Sequence, residues 1–164
     1  MALLKHMDLL ATFRDKIKAS TAIASFLTVQ YPTETLTIYT GVDRQAAPGT
    51  YQTPFITLDP QTSSIGESEQ GHSYSTEIAV GLKDGVYSDF QSNGTIEMKG
   101  CFNLDTLCFL VIEELRELSN VQNWIADDIN LDQDSTTNFP LHIGFISITS
   151  AFNQPLGYDT GLTG

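Results

Sequence analysis

The segment HSYSTEIAVGLKD, His72 to Asp84, alternates with a period of two. Tyr74, Thr76, Ile78, Val80 and Leu82 fall on one side, and Ser75, Glu77, Ala79, Gly81 and Lys83 on the other. A strand this long with one apolar side must belong to a sheet whose apolar face is covered by another layer. The covering element stands further along the chain. Leu104, Leu107, Cys108, Val111, Leu115 and Leu118 recur at helical spacing, and Phe109, Leu110 and Ile112 widen that face beyond a single stripe. Asn103 is the expected cap. So wide a face predicts a helix sandwiched within its own fold or also covered by a neighbour.

The remaining elements fit the same plan. Leu10, Phe13 and Ile17, with Leu3 and Met7 one turn earlier, predict an amphipathic first helix whose other side carries Arg14, Asp15, Lys16 and Lys18. Ser20 is positioned to cap a short second helix, Thr21 to Leu27, which YPTE then breaks. TLTIYT, Thr35 to Thr40, has the β-branched content of a first strand, and PFITLD supplies a second with Ile56 and Leu58 on one face. Pro54 has no N–H to donate, so it must start a strand or lie at an edge. The last strand, Leu141 to Phe152, shifts its alternation between Phe145 and Ile146, which predicts a bulge near Gly144.

The expected fold class is α+β: an antiparallel sheet of about four strands of mixed length, with two main helices packed on one face and long loops. The loops are Thr40 to Thr53, Gln61 to Gly71, residues 84–100 with a turn at Asn93-Gly94, and the acidic stretch between Leu118 and Leu141. Connections of this length usually serve binding. Residues 1–152 read as one domain and 153–164 as a flexible C-terminal tail. A chain of 164 residues can bury about two-thirds of its extended surface, enough for a core without staples.

The formal net charge is −12, from 20 acids against 8 bases, and no cluster of Lys and Arg occurs. Tight binding to a phosphate backbone is therefore disfavoured, although passing close to nucleic acid without adhering is not. Cys101 and Cys108 are placed in one helix with Cα atoms about 10 Å apart, too far for a disulfide, so reduced thiols are expected. The start MALLKHMDLL is too short an apolar run for a signal peptide, and no stretch reaches the length of a membrane span.

Catalytic and metal motifs are sparse. His6, His72 and His142 lack zinc spacings, GESEQG lacks the pattern of a nucleophile elbow, and no phosphate-cradling glycine motif occurs. Asp128, Asn130, Asp132 and Asp134 alternate like the start of a calcium loop. However, Gln133 stands where the turn needs Gly, and Phe139 where a bidentate Glu belongs. An acidic surface strand with Ile129 and Leu131 turned inward is the preferred reading. Glu113, Glu114 and Glu117 read as a solvated helix face, Trp124 as a core lid or interface anchor, and Asn93-Gly94-Thr95 as no more than a chance sequon. No catalytic residue, cofactor or metal is assigned.

The order of elements resembles the tail terminator (tail completion) proteins of long-tailed bacteriophages and the related minor tail and head-tail joining proteins. The likeness is carried by the helix around Leu10 to Ile17, TIYTG, DRQAAPGTYQTPFITL, YSTEIAVGLKDG, NLDTLCFLVIEELREL and LHIGFISITSAF. It is a pattern of elements over most of the chain, interrupted by residues 84–100 and the acidic insertion. The resemblance implies a non-enzymatic virion subunit, assembled in the host cytoplasm and located at the head-proximal end of the tail. It implies a hexameric ring that caps the tail tube, ends its polymerisation and meets the head connector while DNA passes through.

On that reading Asp43, Arg44, Tyr51 and Pro54 are candidates for an intersubunit or partner loop, free in the subunit and held in the ring. Glu67, Glu69, Asp127, Asp128, Asp132 and Asp134 are candidates for an exposed acidic or lumen surface. The alternative is a small α+β module that binds a ligand or peptide, with calcium at Asp128 to Asp134 as an option. A hydrolase built on scattered Ser, His and Asp has no supporting spacing.

Overall fold

The structure is a computed structural model that describes residues 5–41, 51–65, 72–86, 94, 96–122 and 124–152. Its elements are α1 (His6–Ala19), α2 (Thr21–Gln30), β1 (Thr37–Thr40), β2 (Phe55–Ile65), β3 (His72–Lys83), α3 (Lys99–Gln122), β4 (Trp124–Asp134) and β5 (Leu141–Phe152). The strands form one sheet in the order β1-β2-β3-β5-β4. The expected α+β class holds, with three helices and five strands. No described helix is long and apolar enough to cross a membrane.

Two features of the sheet differ from the sequence reading. β1 pairs with β2 in parallel, while the other three pairings are antiparallel, so the sheet is mixed. A parallel neighbour must be reached by carrying the chain back along the strand, which takes a dozen or more residues. That requirement explains the length of the connection from Thr40 to Phe55. The second difference is that the sheet is longer than expected. Gln61–Ile65, read as loop, continues β2, and the acidic surface strand expected at Asp128 to Asp134 begins already at Trp124 and forms an edge along β5.

The inner face is the apolar side of β3 joined to that of its neighbours. Ile78 faces Ile146, Thr76 faces Ile148 and Val80 faces Gly144, and all are buried under Leu104, Leu107, Cys108, Val111 and Leu115 of α3. Leu9, Leu10, Phe13 and Ile17 of α1 complete the same core. Each such side chain contributes about 1.5–3 kcal/mol when taken out of water. Met7, expected on this face, lies in the first turn of α1 and is exposed, whereas Leu9 is buried; Leu3 lies outside the described residues. Ser20 caps α2 as expected, its Oγ accepting from Ile23 N at 3.2 Å. Asn103 is not a cap: α3 starts four residues earlier, and the side chain is drawn into a buried network.

β5 carries no bulge at Gly144. It pairs without interruption from His72↔Phe152 to Lys83↔Leu141, and the register shifts lie in β2 at Pro60/Thr62 and in β4 at Ala126/Asp128. Gly144 is needed for a different reason, since a Cβ there would collide with Cys108 Sγ. Its missing side chain lets α3 settle onto the middle of β5. The shift in alternation records a second cluster, in which Phe55, Leu141 and Ile143 are buried on the outer face with Tyr39, Tyr51 and Ala79. The apolar side of β5 is the outer one from Leu141 to Phe145 and the inner one from Ile146 to Ile148, which a period-two pattern reads as a change of phase.

Candidate functional site

Two arrangements collect the residues with chemical potential. The first is a buried polar network where α2, β3, α3 and β5 meet. Tyr31 Oη donates to Asp84 Oδ2 at 2.9 Å, Val86 N donates to Oδ1 at 2.9 Å, and Asn103 Nδ2 donates to Tyr31 Oη at 2.9 Å. Lys99 Nζ lies over the Tyr31 ring, 5.5 Å from its centroid. Burial, with Asp84 adding to it, pushes the phenol well above its ordinary range despite the opposing Asn103 bond.

His142 is fully buried beside this network, and Gly100 is obligatory there because a Cβ would strike its imidazole. Its Nε2 lies 2.8 Å from the Asp84 carbonyl oxygen, which can only accept, so Nε2 carries the proton and Nδ1 faces Cys101 Sγ at 3.9 Å. A thiol near an imidazole is the geometry of a nucleophile with a base. Here, however, the imidazole is oriented by a main-chain carbonyl within a packed core, and the Asp84 carboxylate is committed to Tyr31 and Val86. The network ties four elements together, which is how a buried polar cluster fixes one packing among several.

The second arrangement is the outer face of the sheet. Asp59 and Glu77 sit opposite each other on β2 and β3, Ser147 and Phe145 follow on β5, and Asn130 and Asp132 pair with them from β4. Asp128, Asn130 and Asp132 are exposed, and Phe145 keeps 37% of its surface. Glu77, Asn130, Asp132, Phe145 and Ser147 line a shallow open depression of about 490 Å3. Among the described residues no helix covers this face.

Of the acids expected to be exposed, Asp128 and Asp132 therefore stand on one open surface. Asp134 has a different task. Its Oδ1 accepts from Thr136 N at 3.0 Å and Thr137 N at 2.9 Å, bonds that hold the carboxyl below its usual range and shape the turn into β5. Alternate residues of an extended strand lie about 6.8 Å apart, so these carboxylates do not converge on one ion. No group of metal-ligating side chains occurs among the described residues. Ile129 and Leu131 turn inward against the core, as read from the sequence. Glu67 and Glu69, and the side chain of Asp127, lie outside the described residues.

The expected partner loop divides similarly. Asp43 and Arg44 lie outside the described residues. Tyr51 packs between Tyr39, at 4.9 Å between ring centroids, and Phe55, at 5.2 Å. Pro54 is buried, and its carbonyl accepts from Thr37 N at 3.0 Å. These two residues face their own sheet, which corrects the expectation that they were free. Of the two positions expected for Pro54, the structure has the strand start, since β2 begins at Phe55, and not the edge, since β1 flanks it.

The histidines gave no signal by spacing, yet two hold elements together. His6 Nδ1 and Nε2 each lie 3.0 Å from a hydroxyl, those of Ser63 and Thr76, joining the start of α1 to β2 and β3. Burial lowers its pKa, with the Asp59 charge opposing. No protein-family model matches the chain, and a search of curated proteins found no match.

Proposed function

We propose that this chain is a structural subunit that works by association, in the manner of a tail terminator: a ring of copies, hexameric by the family's pattern, that caps a phage tail tube and meets the head connector. The reading is carried by one observation: beyond the small cluster around Phe55, no described element covers the outer face of the sheet, whose opposite face is packed under helices. A face of this kind offers a broad, rigid contact surface with an apolar centre at Phe145 and carboxylates around it. Self-association into a closed ring needs one surface of a copy to fit a different surface of the next, and the two unlike faces supply such a pair. Acidic walls also suit a channel for DNA, since carboxylates repel phosphates. No catalytic step is assigned.

The test is genetic and structural. Loss of the gene from its phage is expected to give overlong or unattached tails, and the purified chain is expected to form rings alone or on tail tubes. Normal virions without the protein would refute the reading. A second reading, a module that binds a ligand or peptide, is supported by an apolar groove of about 510 Å3 between α1, α2 and β1.

A further inference from the structure

β1 is the last strand of the sheet on its side, so among the described residues one of its edges is unpaired. Beside that edge runs the groove, floored by the nearly fully buried Ile17 of α1 and Ile23 and Leu27 of α2, and flanked by Leu36 and Ile38 of the β1 segment. Arg14, Lys18 and Glu34 also line it. Leu36 and Ile38 are only half-buried. An unpaired edge next to an apolar groove is the arrangement that accepts an extended segment as an added strand. Main-chain bonds go to the edge, and alternate side chains go into the groove.

The chain contains one such segment outside the described residues, directly after β5. In NQPLGYDTGLTG, residues 153–164, Leu156, Tyr158, Thr160 and Leu162 alternate with Pro155, Gly157, Asp159 and Gly161. This is the period of a strand with one apolar side. Hydroxyls of the exposed Thr28 and Thr35 in the groove wall can meet the phenol of a tyrosine among the apolar contacts.

Geometry decides whose segment it is. Phe152 is level with His72, whereas Thr40, through Leu58, is level with Ile78, about 20 Å down β3. A new strand beyond β1 lies four strand spacings from β5, about 19 Å sideways. Together these separate Phe152 from the nearest end of the site by roughly 28 Å, whereas four residues reach at most about 14 Å. A chain cannot lay Leu156 along its own β1. We propose that residues 156–162 of one copy add as a strand to the free edge of β1 in a second copy, with Leu156, Tyr158 and Leu162 in its α2–β1 groove. The link is directional, from tail to groove, as a closed ring requires; it rests on the self-association proposed above.

Full-length variants test it by sedimentation under conditions where the unaltered chain associates. Leu156→Asp with Leu162→Asp removes the apolar side of the segment. Ala24→Arg, at an exposed groove position, blocks the groove without touching the core. Each variant alone is expected to lose association by about tenfold or more, the effect of two leucines no longer buried. Mixed, they should form one-to-one dimers, because one intact tail meets one intact groove. In a chain carrying both Ala24→Cys and Leu156→Cys, oxidation should link separate copies. If the tail variant assembles like the unaltered chain, this inference falls while the ring reading stands. A disulfide closing within one chain would also overturn it, as would a groove that takes up small apolar probes but gives no mixed dimer. A chain that never associates, alone or on tail tubes, would defeat both.

Discussion

Phe145 and Ile146 are neighbours in β5 and point to opposite sides of the sheet. Ile146 is completely buried beneath α3, while Phe145 keeps 37% of its surface exposed on a face with no described cover. The inner face therefore carries the main core, whereas the outer face buries only the smaller cluster of Phe55, Leu141 and Ile143 and beyond it has apolar and acidic surface left to use. That division separates the substitutions that should unfold the protein from those that should only disable it.

The largest effect is expected at the inner face. Ile146→Ala should cost about 2–5 kcal/mol of unfolding free energy in urea titrations, from lost burial and the cavity left behind. A loss below that range would mean that α3 packs on β5 more loosely than the contact at Gly144 implies. Asp84→Ala should cost about 1–3 kcal/mol, because Tyr31 Oη and Val86 N would lose their acceptor inside the protein. Tyr31→Phe should cost a similar amount, because it leaves both Asp84 Oδ2 and Asn103 Nδ2 without their partner.

His6 sharpens the comparison through pH. Its pKa is lowered from the ordinary 6.5 by burial, so the fold favours the neutral ring. Its contribution is complete above about 6.5 and is lost as the pH falls through the lower folded value. Thermal melting should show a decrease on acidification that His6→Gln flattens. An equally steep decrease in that variant would remove His6 from the explanation. Ser150→Ala has the opposite sign: its buried Oγ has no partner among the described residues, so removal should be neutral or stabilise by up to about 1 kcal/mol.

At the outer face the effect on folding is small compared with that at Ile146. Phe145→Ser should change unfolding free energy by less than about 1.5 kcal/mol and should weaken association, read by sedimentation. A folding loss equal to that of Ile146→Ala would abolish the distinction between the two faces.

The alternation of β3 and the helical spacing of α3 were legible because each is a local period imposed by burial on one side. The inner core residues from Leu104 to Leu118 could be named in advance for that reason. The network of Tyr31, Asp84, Asn103 and His142 could not be. Its members come from four elements far apart in the chain, and each alone looks like a surface residue. Residues 61–65 were obscured for a related reason: edge strands exposed on one side use polar residues, so their composition matches that of loops. Asp128 to Asp134, by contrast, was legible as a surface strand because Ile129 and Leu131 alternate with its acids.

The chain's own periodicities determined an α+β domain with one covered sheet face and a capped second helix. The parallel pairing of β1, the use of Gly144 as a seat for Cys108 and the second apolar cluster around Phe55 were decided only in three dimensions. They depend on which strands meet and at what register, and register is set by contacts between residues that the sequence places dozens of positions apart. The connection from Thr40 to Phe55 is long because β1 runs parallel to β2, a relation that no residue within it encodes.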